Sequence, residues 1–249
     1  MAALLPVSPS FAGHQTFAMR SGWLKKGLDA LQSPEAGAGA LFTRADALVT
    51  LGVGKNMAQS IRHWLLTTRM ARERITPAGR LLEPTVLGKA LFGTPQSPGW
   101  DPFLEDDATL WLLHWMLTGP GSLAFSWAWT FHYFREYEFT RETLTEAVFR
   151  AATHRVAKPL SRETVGRDVQ CLLHTYVAPE SGGVANEDSL DCPLHALGLI
   201  RPGYSTYYRF QIGSRPTLPP AIFCYALSEF WEWKYPRGQA LSLWDIAYA

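Results

Sequence analysis

Residues 44–65, RADALVTLGVGKNMAQSIRHWL, read as helix, Gly-centred turn, helix. Gly52 and Gly54 give the permissive backbone that a tight turn demands. Ala47, Leu48 and Leu51 before the turn, and Met57, Ile61, Trp64 and Leu65 after it, supply two faces for burial. The other side of the second helix carries Asn56, Gln59 and His63, with Lys55 at the helix start and Arg62 as a further basic contact. Asn and Gln can bond bidentately to adenine in the major groove, and a lysine near a helix N-terminus suits a phosphate or a guanine. The pattern is that of a helix-turn-helix DNA reader. An ordinary helical hairpin with a solvated face uses the same residues.

Working outward, the segment 13–27, GHQTFAMRSGWLKKG, starts in an extended polar turn and should enter a helix near Ser21 that ends before Ser33-Pro34. That places Lys25 and Lys26 on a helix beside the turn motif. Downstream, the segment 75–85, ITPAGRLLEPT, sets Pro-Ala-Gly between two β-prone runs, which suits the wing of a winged helix. Residues 11–95 are therefore expected to form a winged-helix-like DNA-binding unit, and residues 96–249 a mainly helical one. The fold class is mainly α with small β hairpins, α+β overall.

Bulk properties agree with a packed globule: 249 residues, 47% hydrophobic and 18% charged. The net charge is only +1, so attraction to a polyanion has to be local. Residues 11–80 hold ten Lys/Arg against four Asp/Glu, whereas residues 81–140 hold two against seven. The basic surplus thus coincides with the turn motif. The N-terminal residues lack a basic start and a long apolar run, and no stretch matches a membrane span, so a soluble, cytoplasmic protein is expected. Three cysteines argue against a disulfide framework.

In the second half, DPFLEDD at 101–107 should cap a helix over 108–117, because carboxylates are favoured at helix N-termini. The run FSWAWTFHYF, 125–134, alternates with period two yet lies between helical stretches, and periodicity leaves it open between strand and helix. Thr140 should cap a helix with Glu142 and Glu146 in its early turns. In the next helix, from SRETVGRDVQCLLHTYV, the residues Val165, Val169, Leu172, Leu173 and Tyr176 form one stripe, with Arg167, Gln170, Cys171 and His174 projecting away. LGLIRPG and TYYRFQIG could pair as a hairpin behind it, which leaves room for a second winged helix in which Arg167 and Gln170 face DNA.

Several constellations could carry chemistry. Cys171/His174 and Cys192/His195 are two C-x-x-H pairs, a possible zinc set, although zinc motifs usually run C-x-x-C with a separate histidine pair. Glu187, Asp188 and Asp191 put three carboxylates in five positions, where Mg²⁺ or Mn²⁺ could hold a phosphate and activate water. Loops also carry acids simply because they are wet. Glu232 and Lys234 make an E-x-K pair without the upstream Pro-Asp partner of restriction-type nucleases. His14 and Gln15 sit in a compact GHQTF phrase, able to act as acid, base or phosphate donor, although a lone histidine is more often structural.

The phrases FAGHQTF (11–17), GWLKKG (22–27), GVGKNMAQSIRHWL (52–65), EPTVLGKALFG (83–93), DPFLEDDATLWLLHW (101–115) and EDSLDCPLHALGLI (187–200) resemble a bacterial family of uncharacterised domains that accompanies DNA phosphorothioation enzymes. That family includes the strand-nicking subunit of the Ssp-type single-strand phosphorothioation system. The resemblance implies a part in replacing a nonbridging phosphate oxygen by sulfur, by nicking one DNA strand. Implied partners are DNA, a cysteine desulfurase, an ATPase and an ATP-pyrophosphatase-like sulfur-transfer protein. Within or beside the matching phrases, His14, Gln15, Arg20, Glu187, Asp188 and Asp191 are the candidate catalytic residues, the last three also as metal ligands. A noncatalytic adaptor that recruits the sulfur-transfer proteins, or a transcriptional regulator, would use the same turn motif.

Overall fold

The computed structural model describes residues 5, 9–33, 42, 50–77, 79–178, 192–238 and 240–248. Helix α1 (Ser21–Gln32) buries Trp23, Leu24, Leu28 and Leu31 on one face. It stops where expected: Ser33 is extended, as a residue before proline prefers. Of the helix expected before the Gly turn, only Thr50 and Leu51 are described, both helical, with Leu51 buried. The turn itself needs Gly52, whose φ of +60° lies in the left-handed region. Helix α2 (Lys55–Thr67) follows, burying Ile61, Trp64 and Leu65. An antiparallel hairpin of β1 (Ala71–Thr76) and β2 (Gly79–Pro84) comes next, paired from Ala71↔Pro84 to Thr76↔Gly79. The short helix α3 (Val86–Phe92), capped by Thr85, completes the first half.

Helix α4 (Asp107–Thr118) begins at the acidic phrase, where the Asp106 carboxylate accepts the Ala108 N–H at 2.8 Å. The undecided aromatic run is helix α5 (Phe125–Tyr133). Its alternation is no strand signal, because both sides are covered and Phe125, Trp127, Ala128 and Thr130 are all buried. Strand β3 (Glu138–Thr140) leads into α6 (Arg141–Thr153), and Thr140 and Thr143 form a reciprocal capping box. Helix α7 (Arg162–Tyr176) starts at Ser161, whose hydroxyl accepts the Thr164 N–H.

After a 3₁₀ turn (Pro193–Leu197), β4 (Ile200–Pro202) and β5 (Tyr207–Phe210) pair as the expected hairpin. Strand β3 joins them, which the sequence does not announce, and the antiparallel order is β3-β5-β4. Helix α8 (Pro220–Lys234) buries only Phe230 fully, and α9 (Leu243–Tyr248) ends the chain.

One apolar core runs through both halves, from Trp23 and Leu28 through Ile61 and Trp64 to Trp127, Leu144 and Val169. Trp64 of α2 meets Trp127 of α5 edge to face, with ring centroids 5.6 Å apart. Truncating either fully buried ring should cost about 3–5 kcal/mol. Among the described residues, no helix is long and apolar enough to cross a membrane.

Candidate nucleic-acid interface

Helix α2 turns Lys55, Asn56 and Gln59 to solvent, while Ala58, Ile61, Trp64 and Leu65 anchor its other side. A lysine donor and two amides that both donate and accept therefore project from a helix that packing holds in place. Arg62 is not an independent contact, because its guanidinium pairs with Glu73 of β1. Beside the helix, the hairpin carries Arg72 and Arg74 on Glu83 and Arg80 on Glu73. Four arginines thus share two carboxylates, so this surface keeps two positive charges. Ile75 near the hairpin tip is 81% exposed. The sequence reading missed these arginines as a set; their signal was the R-x-R…R alternation on a predicted strand pair.

The expectation for His63 needs correction. Its ring lies against Gly13, where a Cβ would come within 2.5 Å of Nδ1, and its Nε2 is sealed from solvent without a hydrogen-bond partner. Burial, followed by the charges of His14 and Arg62, lowers its pKa to about 3 despite the opposing pull of Asp168. The ring is therefore neutral at pH 7, and its packing on Gly13 and Trp64 makes it a structural neighbour of the N-terminal phrase.

His14 is likewise no surface acid or base. It is fully buried, its Nδ1 accepts the Thr16 N–H at 3.0 Å, and Nε2–H donates to Asp168 Oδ1 at 2.9 Å. Asp168 Oδ1 also accepts the Ala12 N–H, at 2.6 Å, and Oδ2 accepts the Ser126 hydroxyl, at 2.9 Å. Although histidine, aspartate and serine meet here, the aspartate sits between the other two. The serine hydroxyl donates to the carboxylate and not to the imidazole, so the order is not that of a Ser-His-Asp nucleophile relay. It is a clamp: the GHQTF phrase is bolted to α7 and α5. Phe17 extends it, its carbonyl accepting Trp64 Nε1–H at 3.2 Å from α2 and the Cys171 thiol at 3.3 Å from α7. Gln15 has φ +50° and its amide reaches back to the Ala12 carbonyl at 3.5 Å. Arg20 lies over the Trp23 ring, 5.3 Å from its centroid.

Asp168 is the residue that sequence reading missed. It falls three positions after Val165 and four before Leu172, on the buried stripe of α7, where an acid implies an internal partner. Cys171 is also buried rather than projecting outward, and burial pushes its thiol well above the ordinary range. Cys192 donates to the Thr175 carbonyl at 3.3 Å, and His195 Nε2 bonds the His174 carbonyl at 2.7 Å. Cys171, Cys192 and His195 are thus engaged with backbone carbonyls, and His174 Nε2 lies 3.4 Å from the Gln170 amide. Among the described residues, no three His, Cys, Asp or Glu side chains gather as a metal set. Glu187, Asp188 and Asp191 lie outside the described residues.

On α7, Arg167 and Gln170 are exposed, Arg167 on Glu163 and Gln170 receiving Arg141 of α6 at 2.8 Å. Lys25 of α1 is tied to Asp29, and Lys26 is exposed beside it. The E-x-K pair sits on α8, with Glu232 in water and Lys234 over the Phe230 and Tyr235 rings.

The fold is shared with known proteins. The chain belongs to the family described as "Protein of unknown function (DUF4007)", whose model matches residues 11–249. Among solved structures it is similar to magnesium ion-bound SspB, at 36% identity and a TM-score of 0.78 over 87% of this chain. A second SspB crystal structure matches at the same identity with a TM-score of 0.77. The chain spans 64% of the length of those SspB chains. No curated protein sequence matches it.

Proposed function

We propose that this protein is the DNA-contacting component of a bacterial DNA phosphorothioation system, and that it nicks one strand so that sulfur can be inserted. The observation that carries this reading is the 36% identity to SspB maintained over 87% of the chain. The physical support is the outward row of Lys55, Asn56 and Gln59 beside a hairpin with surplus arginine. A helix-turn-helix with its wing accounts for the order helix, Gly turn, helix, hairpin over residues 50–84. The later order α5, β3, α6, α7, β4, β5, with the sheet order β3-β5-β4, supports a second unit of the same kind. That unit would present Arg167 and Gln170. The division into residues 11–95 and 96–249 is then one of DNA-facing surfaces, because the core is continuous.

Glu187, Asp188 and Asp191 are the proposed ligands of a divalent cation, since three carboxylates suit the hard Mg²⁺ or Mn²⁺ better than zinc. Such an ion would polarise a phosphodiester and supply a water nucleophile at neutral pH. His14 acts in this scheme by holding α7 and the N-terminal phrase together, not by touching substrate. The working partners are a cysteine desulfurase, an ATPase and an ATP-pyrophosphatase-like sulfur-transfer protein.

Supercoiled plasmid is the test. Incubated with Mg²⁺ or Mn²⁺, with and without the partner proteins, it should be converted to the open circle, and Asp191→Ala should abolish conversion while leaving duplex affinity unchanged. Intact plasmid under every metal and partner condition, with DNA binding retained, would identify a recruiting adaptor instead.

A further inference from the structure

The loop between α3 and α4 holds two large aromatic side chains in water. Trp100 is 79% exposed and Phe103 69%. The backbone beneath them is anchored, not slack. The N–H groups of Trp100 and Asp101 donate to the Ala90 and Leu91 carbonyls, each at 2.9 Å. The buried Asp101 carboxylate then accepts the N–H groups of Glu105 and Asp106, at 2.9 and 3.1 Å. The anchored backbone keeps these two residues at the surface, where their rings are available for contact.

What Phe103 faces is charged. Pro102 and Phe103 form one wall of an open groove of about 680 Å³, and Ser21, Gly22, Lys25 and Lys26 of α1 form the other. The Asp29 carboxylate already holds Lys25. Lys26 has no ion-pair partner among the described residues, and its ammonium remains available to an anion. Thr50 closes the groove next to the Gly52 turn, so the groove runs up to the start of α2.

We infer that this groove holds single-stranded DNA, with a base against Phe103, the phosphate chain along Lys26, and Trp100, three residues away on the same loop, as a second ring for the strand where it leaves the groove. The match is one of charge and shape together: a flat aromatic face for each base and a cation for the backbone. A duplex keeps its base faces inside the stack and offers the rings nothing. An opened strand does not. The inference rests on the DNA reading above and adds a place for the strand displaced beside a nick.

Fluorescence anisotropy of the full chain separates the two ideas, using labelled oligo(dT) of about 12 nucleotides and a blunt duplex of similar length. Phe103→Ala and Trp100→Ala should each weaken oligo(dT) binding about 5- to 100-fold and leave duplex binding within about twofold. Phe103→Tyr, which keeps the ring, should retain most of the affinity. Lys26→Ala should reduce the single-strand salt slope by about 0.7. Unchanged oligo(dT) affinity in both alanine variants overturns the groove assignment, and so does an equal loss on duplex and single strand. Wild-type protein that binds the duplex but not oligo(dT) overturns it too, with the duplex reading intact. Wild-type protein that binds neither overturns both.

Discussion

His14 and Asp168 stand 154 positions apart in the chain and meet in the interior, Nε2–H on Oδ1 at 2.9 Å. Their bond closes the chain around α2, because Phe17, three residues after His14, receives the Trp64 indole N–H from that helix. The orientation of the proposed reading helix is therefore set from the far half of the molecule.

Removing the acid strands three buried donors at once, on Ala12, His14 and Ser126. Asp168→Ala should destabilise the fold by about 3–5 kcal/mol. Asp168→Asn keeps one acceptor oxygen and should cost about 1–3 kcal/mol. Urea unfolding monitored by tryptophan fluorescence checks both, and equal midpoints for wild type and Asp168→Ala would remove the clamp from the account.

Gly13 makes the second prediction. An added Cβ would lie 2.5 Å from His63 Nδ1, and that ring is wedged against Trp64 at a centroid distance of 5.3 Å. Gly13→Ala should cost about 1–3 kcal/mol by overpacking. In a double-mutant cycle, His63→Ala should restore part of the loss, which loss of glycine flexibility alone would not allow.

A third prediction concerns acid. His63 and His114 both have pKa values lowered by burial to about 3 from an ordinary 6.5. Between those values the unfolded chain takes up protons that the folded chain refuses. Stability from these two groups is complete above about pH 6.5 and declines as pH falls toward 3, by about 1.4 kcal/mol per pH unit for each histidine. Unfolding free energies measured at intervals from pH 7 to pH 4 should show this slope, and His114→Gln should reduce it by about half. An unchanged slope in that variant contradicts the burial argument.

The proposed DNA-facing residues should separate by salt dependence and sequence preference. Lys55→Ala should lower duplex affinity evenly across sequences and reduce the salt slope by about one unit, whereas Gln59→Ala should chiefly relax sequence preference. Arg80→Ala on the hairpin should behave like Lys55→Ala. His63→Ala should act through stability, because its ring packs on Gly13 and Trp64 and its Nε2 is sealed from solvent. Competition binding against sequence libraries at several salt concentrations distinguishes these patterns.

Much of the fold was legible locally. Ser161, Thr140 and Asp106 sit where capping chemistry puts them, Gly52 takes the left-handed turn, and Ser33-Pro34 ends α1, because each depends on residues within four positions. The two hairpins followed from turn residues between β-prone runs. The exposed Lys55, Asn56 and Gln59 likewise followed from a helical period.

Other features depend on what arrives from elsewhere in the chain. The run over 125–133 is a helix because α2 and α7 cover its faces, and its local alternation carried no such information. His14 changes from candidate acid to internal strut only because Asp168 is folded onto it, and β3 finds its partner some 70 residues later. A side chain's spacing declares which face of its element it occupies. Whether that face meets water, a carboxylate or another ring is fixed by long-range packing, and with it whether a titratable group is chemistry or framework.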